Sequence, residues 1–268
     1  MTKRLSTLVF GVMALVAALT AGCTSAPLAP SMAQVLAPSG KLRVGLYPGS
    51  PTSLIGDPAS GTAKGLGFDL GAEMARRLGV PFEPVVFLKN ADVLTAVKSG
   101  QVDASFTNET PERLQDMDFS STLLEVEKGY LVPAASSIAT QADVDRPGTR
   151  IGVSQGSSTE RELAGEFQHA LMVRTPTLKS AIAMLASGQL EAFATNKAIL
   201  FEMSDDLPGA RVLDGHWGLE HFAIALPKGR AQAAPWLQRF VADMKAQARV
   251  TQAVQRVGLR GTVAPAAR

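Results

Sequence analysis

A chain of 268 residues, 46% of them hydrophobic, can bury a substantial core as one large domain or two smaller lobes. Its 26 basic residues fall to 24 once Lys3 and Arg4 of the N-terminal leader are set aside, against 24 acidic ones, so it lacks the basic excess that phosphate contacts demand of a nucleic-acid binder. A single cysteine excludes an internal disulfide, the three histidines follow no metal-ligand spacing, and no cofactor is expected.

The first element in chain order is an export signal. Lys3 and Arg4 precede an apolar run from Leu8 to Leu19 that closes on Thr20-Ala21-Gly22-Cys23. The run is shorter than the roughly 20 residues a membrane span needs, so residues 1–22 read as a signal peptide. Cys23, directly after the small residues, is expected to be the acylated first residue of a lipoprotein tied to a bacterial membrane in the periplasm. Residues 23–40, rich in Ala, Pro and Ser, read as the tether behind it.

From Lys41 the pattern alternates short apolar runs with amphipathic segments: strand over 41–47, helix over 67–79, strand over 82–88, helix over 91–100, strand over 102–107. Such alternation predicts βαβ units, hence an α/β fold with mainly parallel sheets flanked by helices. Thr110-Pro111-Glu112-Arg113 reads as a helix start with Thr110 as N-cap. Arg113 in the first turn opposes the helix dipole unless an anion lies close. It is either a surface cation paired with Glu109 or Asp116, or a guanidinium fork for a carboxylate.

Two internal repeats follow. SGQVDASFTN at 99–108 returns as SGQLEAFATN at 187–196, and RVGLYPGS at 43–50 returns as RIGVSQGS at 150–157. Two pairs in the same order predict two lobes of like topology. Ligands of open α/β sheets bind beyond the carboxyl ends of the strands, which here carry Gly49-Ser50, Thr107-Asn108, Gly156-Ser157-Ser158 and Thr195-Asn196. Ser157 and Glu160 form a capping box, and Ser158 beside them is placed to meet an anion from the second lobe. Gly152-Val153-Ser154-Gln155-Gly156 matches a nucleophile elbow, but its helix signals begin only at Ser157 and no oxyanion segment precedes it, so hydrolase chemistry is set aside. A strand over 222–229 and an amphipathic helix with Trp236, Phe240 and Met244 return the chain to the first lobe, with His216-Trp217 and Glu220-His221 either packing at that return or facing the cleft.

The ordered set KLRVG, GFDLGAEMARRLG, SGQVDA, TPER with MDFS, IGVSQGSS, SGQLEA and AVQRVGL resembles the extracellular solute-binding proteins of family three, which serve polar amino-acid ABC importers. The resemblance runs from about Lys41 to Leu259 and implies a two-lobed type II periplasmic-binding-protein fold. Lobe 1 would comprise 41–126 with 222–268 and lobe 2 127–221, joined by hinge strands near 125–129 and 217–224. It implies a monomer that delivers a small-molecule solute to ABC permease subunits. Arg113, six residues before Phe119, matches the Arg that grips a ligand carboxylate, and Ser158 matches the hydroxyl that meets the same group. Asn196 stands where amino-acid binders place the Asp that neutralises the ammonium, and Ser50 where an aromatic platform is usual, with Tyr47 close by. Gly71 replaces an Asp and FSSTLL replaces the usual FS-x-Pro-Tyr. The expected ligand is therefore a small carboxylate-bearing solute held by Arg113 and Ser158, with Asn108, Thr110, Thr195 and Asn196 as neutral hydrogen-bonding groups.

Two other readings remain open at this point. A dehydratase resembling the cyclohexadienyl dehydratases of the same scaffold would need a cleft acid such as Glu109 or Glu220, and a ligand-sensing lipoprotein would bind solute without delivering it.

Overall fold

The computed structural model describes residues 31–263. The leader, Cys23 and the first part of the expected tether lie outside the described residues. Among those described, no helix is long and apolar enough to cross a membrane.

The fold begins inside the expected tether. Ser31 and Gln34 form a reciprocal capping box that starts helix α1 (Met32–Leu36), and Val35, Leu36 and Ala37 are buried in the main core. Composition had placed this segment in solvent. The helix is held because its apolar side chains join the core that also holds Leu237 and Phe240, against the turn at Ala231–Ala233, and because the Leu36 carbonyl accepts from Arg230.

Strand β1 (Leu42–Leu46), helix α2 (Leu66–Leu78), strand β2 (Phe82–Val86), helix α3 (Asn90–Lys98) and strand β3 (Ala104–Asn108) then follow the alternation expected of the sequence. Helix α2 buries Leu66, Leu70 and Met74 on one stripe. Gly71 sits on that stripe, where an added Cβ would come within 3.2 Å of Val44. A larger residue there would push α2 off the sheet, which accounts for the glycine at this place.

The one-turn helix α4 (Arg113–Asp116), strand β4 (Met117–Phe119) and the long strand β5 (Leu124–Val132) lead into the second half. That half contains strand β6 (Arg150–Ser154), helix α5 (Ser158–Leu163), strand β7 (Leu171–Thr175), helix α6 (Leu178–Ala186), strand β8 (Ala192–Asn196), helix α7 (Lys197–Asp205) and strand β9 (Arg211–Val212). Strand β10 (Gly218–Pro227) returns, and helices α8 (Ala234–Ala246) and α9 (Arg249–Val257) cover the first half.

Strand order is β2-β1-β3-β10-β5-β8-β6-β7, with β4 beside β10 and β9 beside β5. Read from either edge inward the order is the same: second, first, third strand of the half, then a long shared strand. β1 pairs in parallel with β2 and β3, and β6 with β7 and β8. β10 runs antiparallel to β3 over Phe222–Ala225 and to β5 over Gly218–Phe222.

The two sequence repeats turn out to be one structural device. In the first half Arg43 donates through its backbone N and Nε to Asp103 (3.0 and 2.9 Å) and through Nη2 to the Gly100 carbonyl (3.0 Å). In the second, Arg150 makes the same three bonds to Glu191 (2.7 and 3.0 Å) and the Gly188 carbonyl (2.6 Å). Gly100 and Gly188 both take positive φ, +73° and +69°, to turn from helix into strand. The arginine of one repeat pair thus anchors the acid and glycine of the other, fixing each third strand against its first.

Candidate functional site

The strand ends of the two halves converge on one cavity of about 30 Å³, room for roughly two water molecules. Of the residues that sequence placed in the site, Tyr47, Asn108, Arg113, Ser157, Ser158, Thr195 and Asn196 line it. Ser50 and Thr110 do not. The Ser50 hydroxyl is buried against Thr52 at 2.8 Å, and Thr110 lines a separate outer cavity of about 570 Å³. Thr110 nonetheless caps as expected, its carbonyl accepting from the Leu114 amide at 3.0 Å. Its hydroxyl accepts from the Arg113 amide at 3.3 Å, while Glu112, just before α4, already has helical dihedrals and makes no cap bond.

Arg113 is 3% exposed. Its Nη1 donates to Thr107 Oγ1 (2.9 Å) and the Asn108 carbonyl (2.8 Å), which ties one edge of the guanidinium to the wall, while Nε has no partner. Neither surface partner considered for it, Glu109 or Asp116, engages it; Asp116 pairs with Lys98 instead. Burial, and then the cation Arg161, pull its pKa down to about 10, yet it stays protonated at neutral pH. A buried guanidinium with a free N–H is a donor waiting for an acceptor.

Two contacts close the cavity toward the outer one. Asn108 Nδ2 donates to Ser158 Oγ at 3.0 Å, and Arg161 pairs with Glu112. Asn108 is held for this task because its Oδ1 accepts from the His221 amide at 2.7 Å. Ser157 caps α5, its hydroxyl accepting from the Glu160 amide at 3.0 Å. The Glu160 carboxylate reaches back one residue further than a standard capping box, to the Gly156 amide.

Glu220, for which the sequence leaves packing at the return and a place in the cleft both open, belongs with these residues. It lines the same cavity, is 6% exposed, and accepts from Asn196 Nδ2 at 2.9 Å. Asn196 N-caps α7 with its Oδ1 on the Ile199 amide (3.1 Å), so its NH₂ is turned toward the carboxylate. An Asp at 196 would confront Glu220 with a second negative charge. The signal was a period-2 count: extending the strand back from Phe222 puts Glu220 on the same face, and both line the cavity. His221, one step on, faces the other way into the outer cavity and pairs with Glu125 at 3.0 Å. Trp217 does pack at the return, against Tyr130 and under the Lys128 ammonium.

Burial raises the Glu220 pKa above its ordinary value of 4.5, opposed by the charges of Arg113 and Lys128 and the Asn196 hydrogen bond, and reinforced by Glu162. The Tyr47 phenol on the other wall is pushed up to about 12 by burial and is neutral. A raised carboxyl pKa means that the folded chain binds the proton more tightly than the unfolded one, so stability falls as pH rises above the ordinary value. Glu220→Gln should therefore raise the unfolding midpoint of the free protein at pH 7, with the difference fading toward pH 4. Each tenfold change in proton affinity is worth about 1.4 kcal/mol, or about 3–5 °C for a chain of this size. Thermal melts of both forms from pH 4 to 8 check this, and a pH-independent difference would contradict it.

The family model for bacterial extracellular solute-binding proteins, family 3, matches residues 42–258. The ABC transporter glutamine-binding protein GlnH of Bacillus subtilis (strain 168) is 23% identical over 197 residues, 72% of this chain and 72% of that protein. A glutamine-binding protein of Geobacillus stearothermophilus is 25% identical over 194 residues, 70% of this chain and 73% of its own. Among solved structures, the solute receptor for L-cysteine of Neisseria gonorrhoeae superposes with a TM-score of 0.75 at 24% identity, covering 85% of this chain and 93% of that one. An ancestral amino acid-binding protein, a precursor of cyclohexadienyl dehydratase, gives a TM-score of 0.73 at 22% identity, with 84% and 99% covered. These superpositions establish the type II fold.

Proposed function

The chain belongs to the bacterial extracellular solute-binding proteins, family 3, and from that premise we propose that it captures a small carboxylate-bearing solute, an amino acid or a related organic acid, and delivers it to an ABC importer. The observation that carries this reading is Arg113, buried at the cavity with its Nε unpartnered. Ser158, first residue of α5, faces it from the second half. Both named relatives are glutamine-binding proteins and one is part of an ABC transporter, which supports the same class of solute.

Loading requires the halves to part, because the cavity is far smaller than any amino acid. We place the lobes at 41–126 with 222–268 and at 127–221, the hinge being the antiparallel stretch where Gly218–Phe222 pairs with Leu124–Lys128. Opening there breaks the Asn108–Ser158 and Arg161–Glu112 contacts while the ladder of each half stays whole. The protein is read as a periplasmic monomer held at a bacterial membrane by acylated Cys23.

Cys23→Ser should move the chain from the membrane pellet to the soluble fraction, and that soluble form suits a thermal-shift screen of amino acids, dicarboxylates, aromatic acids and sugars. A solute at 100 times its Kd adds about 2.7 kcal/mol, about 5–11 °C here. A response confined to sugars, or none from any carboxylate, would sink the proposal. Uptake of the responding solute lost on gene deletion separates delivery from sensing. Because a buried acid, Glu220, faces the cavity, a dehydratase is the second reading. Prephenate turnover in the same samples would favour it.

A further inference from the structure

We infer that Glu220 receives the cationic end of the solute, so that the cavity is built for a zwitterion: carboxylate on Arg113, ammonium on Glu220. This rests on the reading of Arg113 as the carboxylate group's partner and names the other half of the ligand.

Charge balance within the cavity carries this assignment. Arg113 and Glu220 line one cavity, both almost wholly buried. Among the described residues neither makes an ion pair within 4.0 Å, so a buried cation and a buried anion share a cavity without touching. Unpaired buried charge is costly, and such groups are ordinarily paired. Lys128 does not discharge Glu220, because its ammonium is engaged by Glu162 and lies over the Trp217 ring at 4.7 Å. Asn196 meets only Oε2, and Oε1 accepts no hydrogen bond among the described residues.

A simple carboxylate would satisfy Arg113 and leave Glu220 uncompensated. A dicarboxylate would add repulsion. A molecule with both signs close together satisfies both walls and replaces the lost hydration of each. The substitution of amide for acid at 196 then does not remove the ammonium site. It transfers the charge 2.9 Å across a hydrogen bond, from the end of β8 to the hinge strand β10, where it also registers the approach of the two halves.

The test is calorimetric, on the soluble chain with the twenty standard L-amino acids and, for each responder, its deamino acid, such as glutaramate for glutamine. Wild type should bind at least one amino acid, and its deamino acid roughly 100-fold more weakly. Glu220→Gln, which keeps the shape and still accepts from Asn196, should lower the amino acid to the level of the deamino acid and leave the latter within about threefold. Adding Asn196→Asp to Glu220→Gln should restore most of the loss, because it returns a carboxylate to the same corner. Equal binding of both classes by wild type, unchanged amino-acid affinity in Glu220→Gln, or no amino acid bound at all overturns the inference. Failure of the underlying reading looks different: Arg113→Ala would then leave the deamino acids unaffected.

Discussion

Arg113→Ala lowers the affinity for carboxylate-bearing solutes by roughly thirty-fold to several thousand-fold, the equivalent of about 2–5 kcal/mol expected when one member of a buried, hydrogen-bonded charge pair is truncated. The size of the effect follows from where the guanidinium sits. It is withdrawn from water, its pKa is drawn down to about 10, and its Nη1 edge is committed to Thr107 and the Asn108 carbonyl. What remains for the solute is a preoriented edge that loses little freedom on binding. Arg113→Lys keeps the charge but not the fork, so it should recover only part of the loss. Titration calorimetry on wild type and both variants decides the matter: full affinity in Arg113→Ala would remove Arg113 from the site.

The largest effect on the fold is expected at Asp103. Its side chain is 0% exposed and holds Arg43 by three bonds, with Arg230 at 3.3 Å on the far side. Asp103→Ala removes the buried carboxylate from two largely buried arginines, and breaking such a pair costs about 3–5 kcal/mol, a fall of about 6–20 °C in Tm. Its counterpart Glu191 makes the same contacts with a side chain that is 35% exposed. Solvent screens that pair, so Glu191→Ala should cost about 1 kcal/mol or less. Melting both variants side by side tests burial as the deciding variable, since the motif is the same in each. Equal losses would refute it.

Much of this was legible because repeats and periodicity report local geometry. The βαβ alternation, the paired Thr-Asn strand ends and the Gly turns needed only short-range rules, and both Thr-Asn ends line the cavity with Ser157 and Ser158. Two features were not settled this way, for different reasons. Glu220 shares a face with Phe222 by period two, but that this face meets the cavity depends on the long-range pairing of β10 with β5 and β3, segments about 100 residues apart. Helix α1 did carry a local signal, the Ser31-x-x-Gln34 box, which the surrounding Ala and Pro outweighed in a compositional reading. Ser50 lies off the cavity for a third reason: a hydroxyl near a site satisfies itself on the nearest partner, here Thr52, when geometry allows.

The duplicated architecture also bears on how a solute is aligned. Walls built from matching strand ends, Thr107-Asn108 facing Thr195-Asn196, would by themselves offer a guest two nearly equivalent poses related by a half-turn. The charged residues break that degeneracy. Arg113 lies five residues beyond Asn108, and the position five beyond Asn196 is Phe201, so the second half has no answering guanidinium. Glu220 lies on the strand returning from that half, outside either repeat. The repeated portion therefore shapes the chamber, while its head-to-tail sense comes from residues the duplication does not supply.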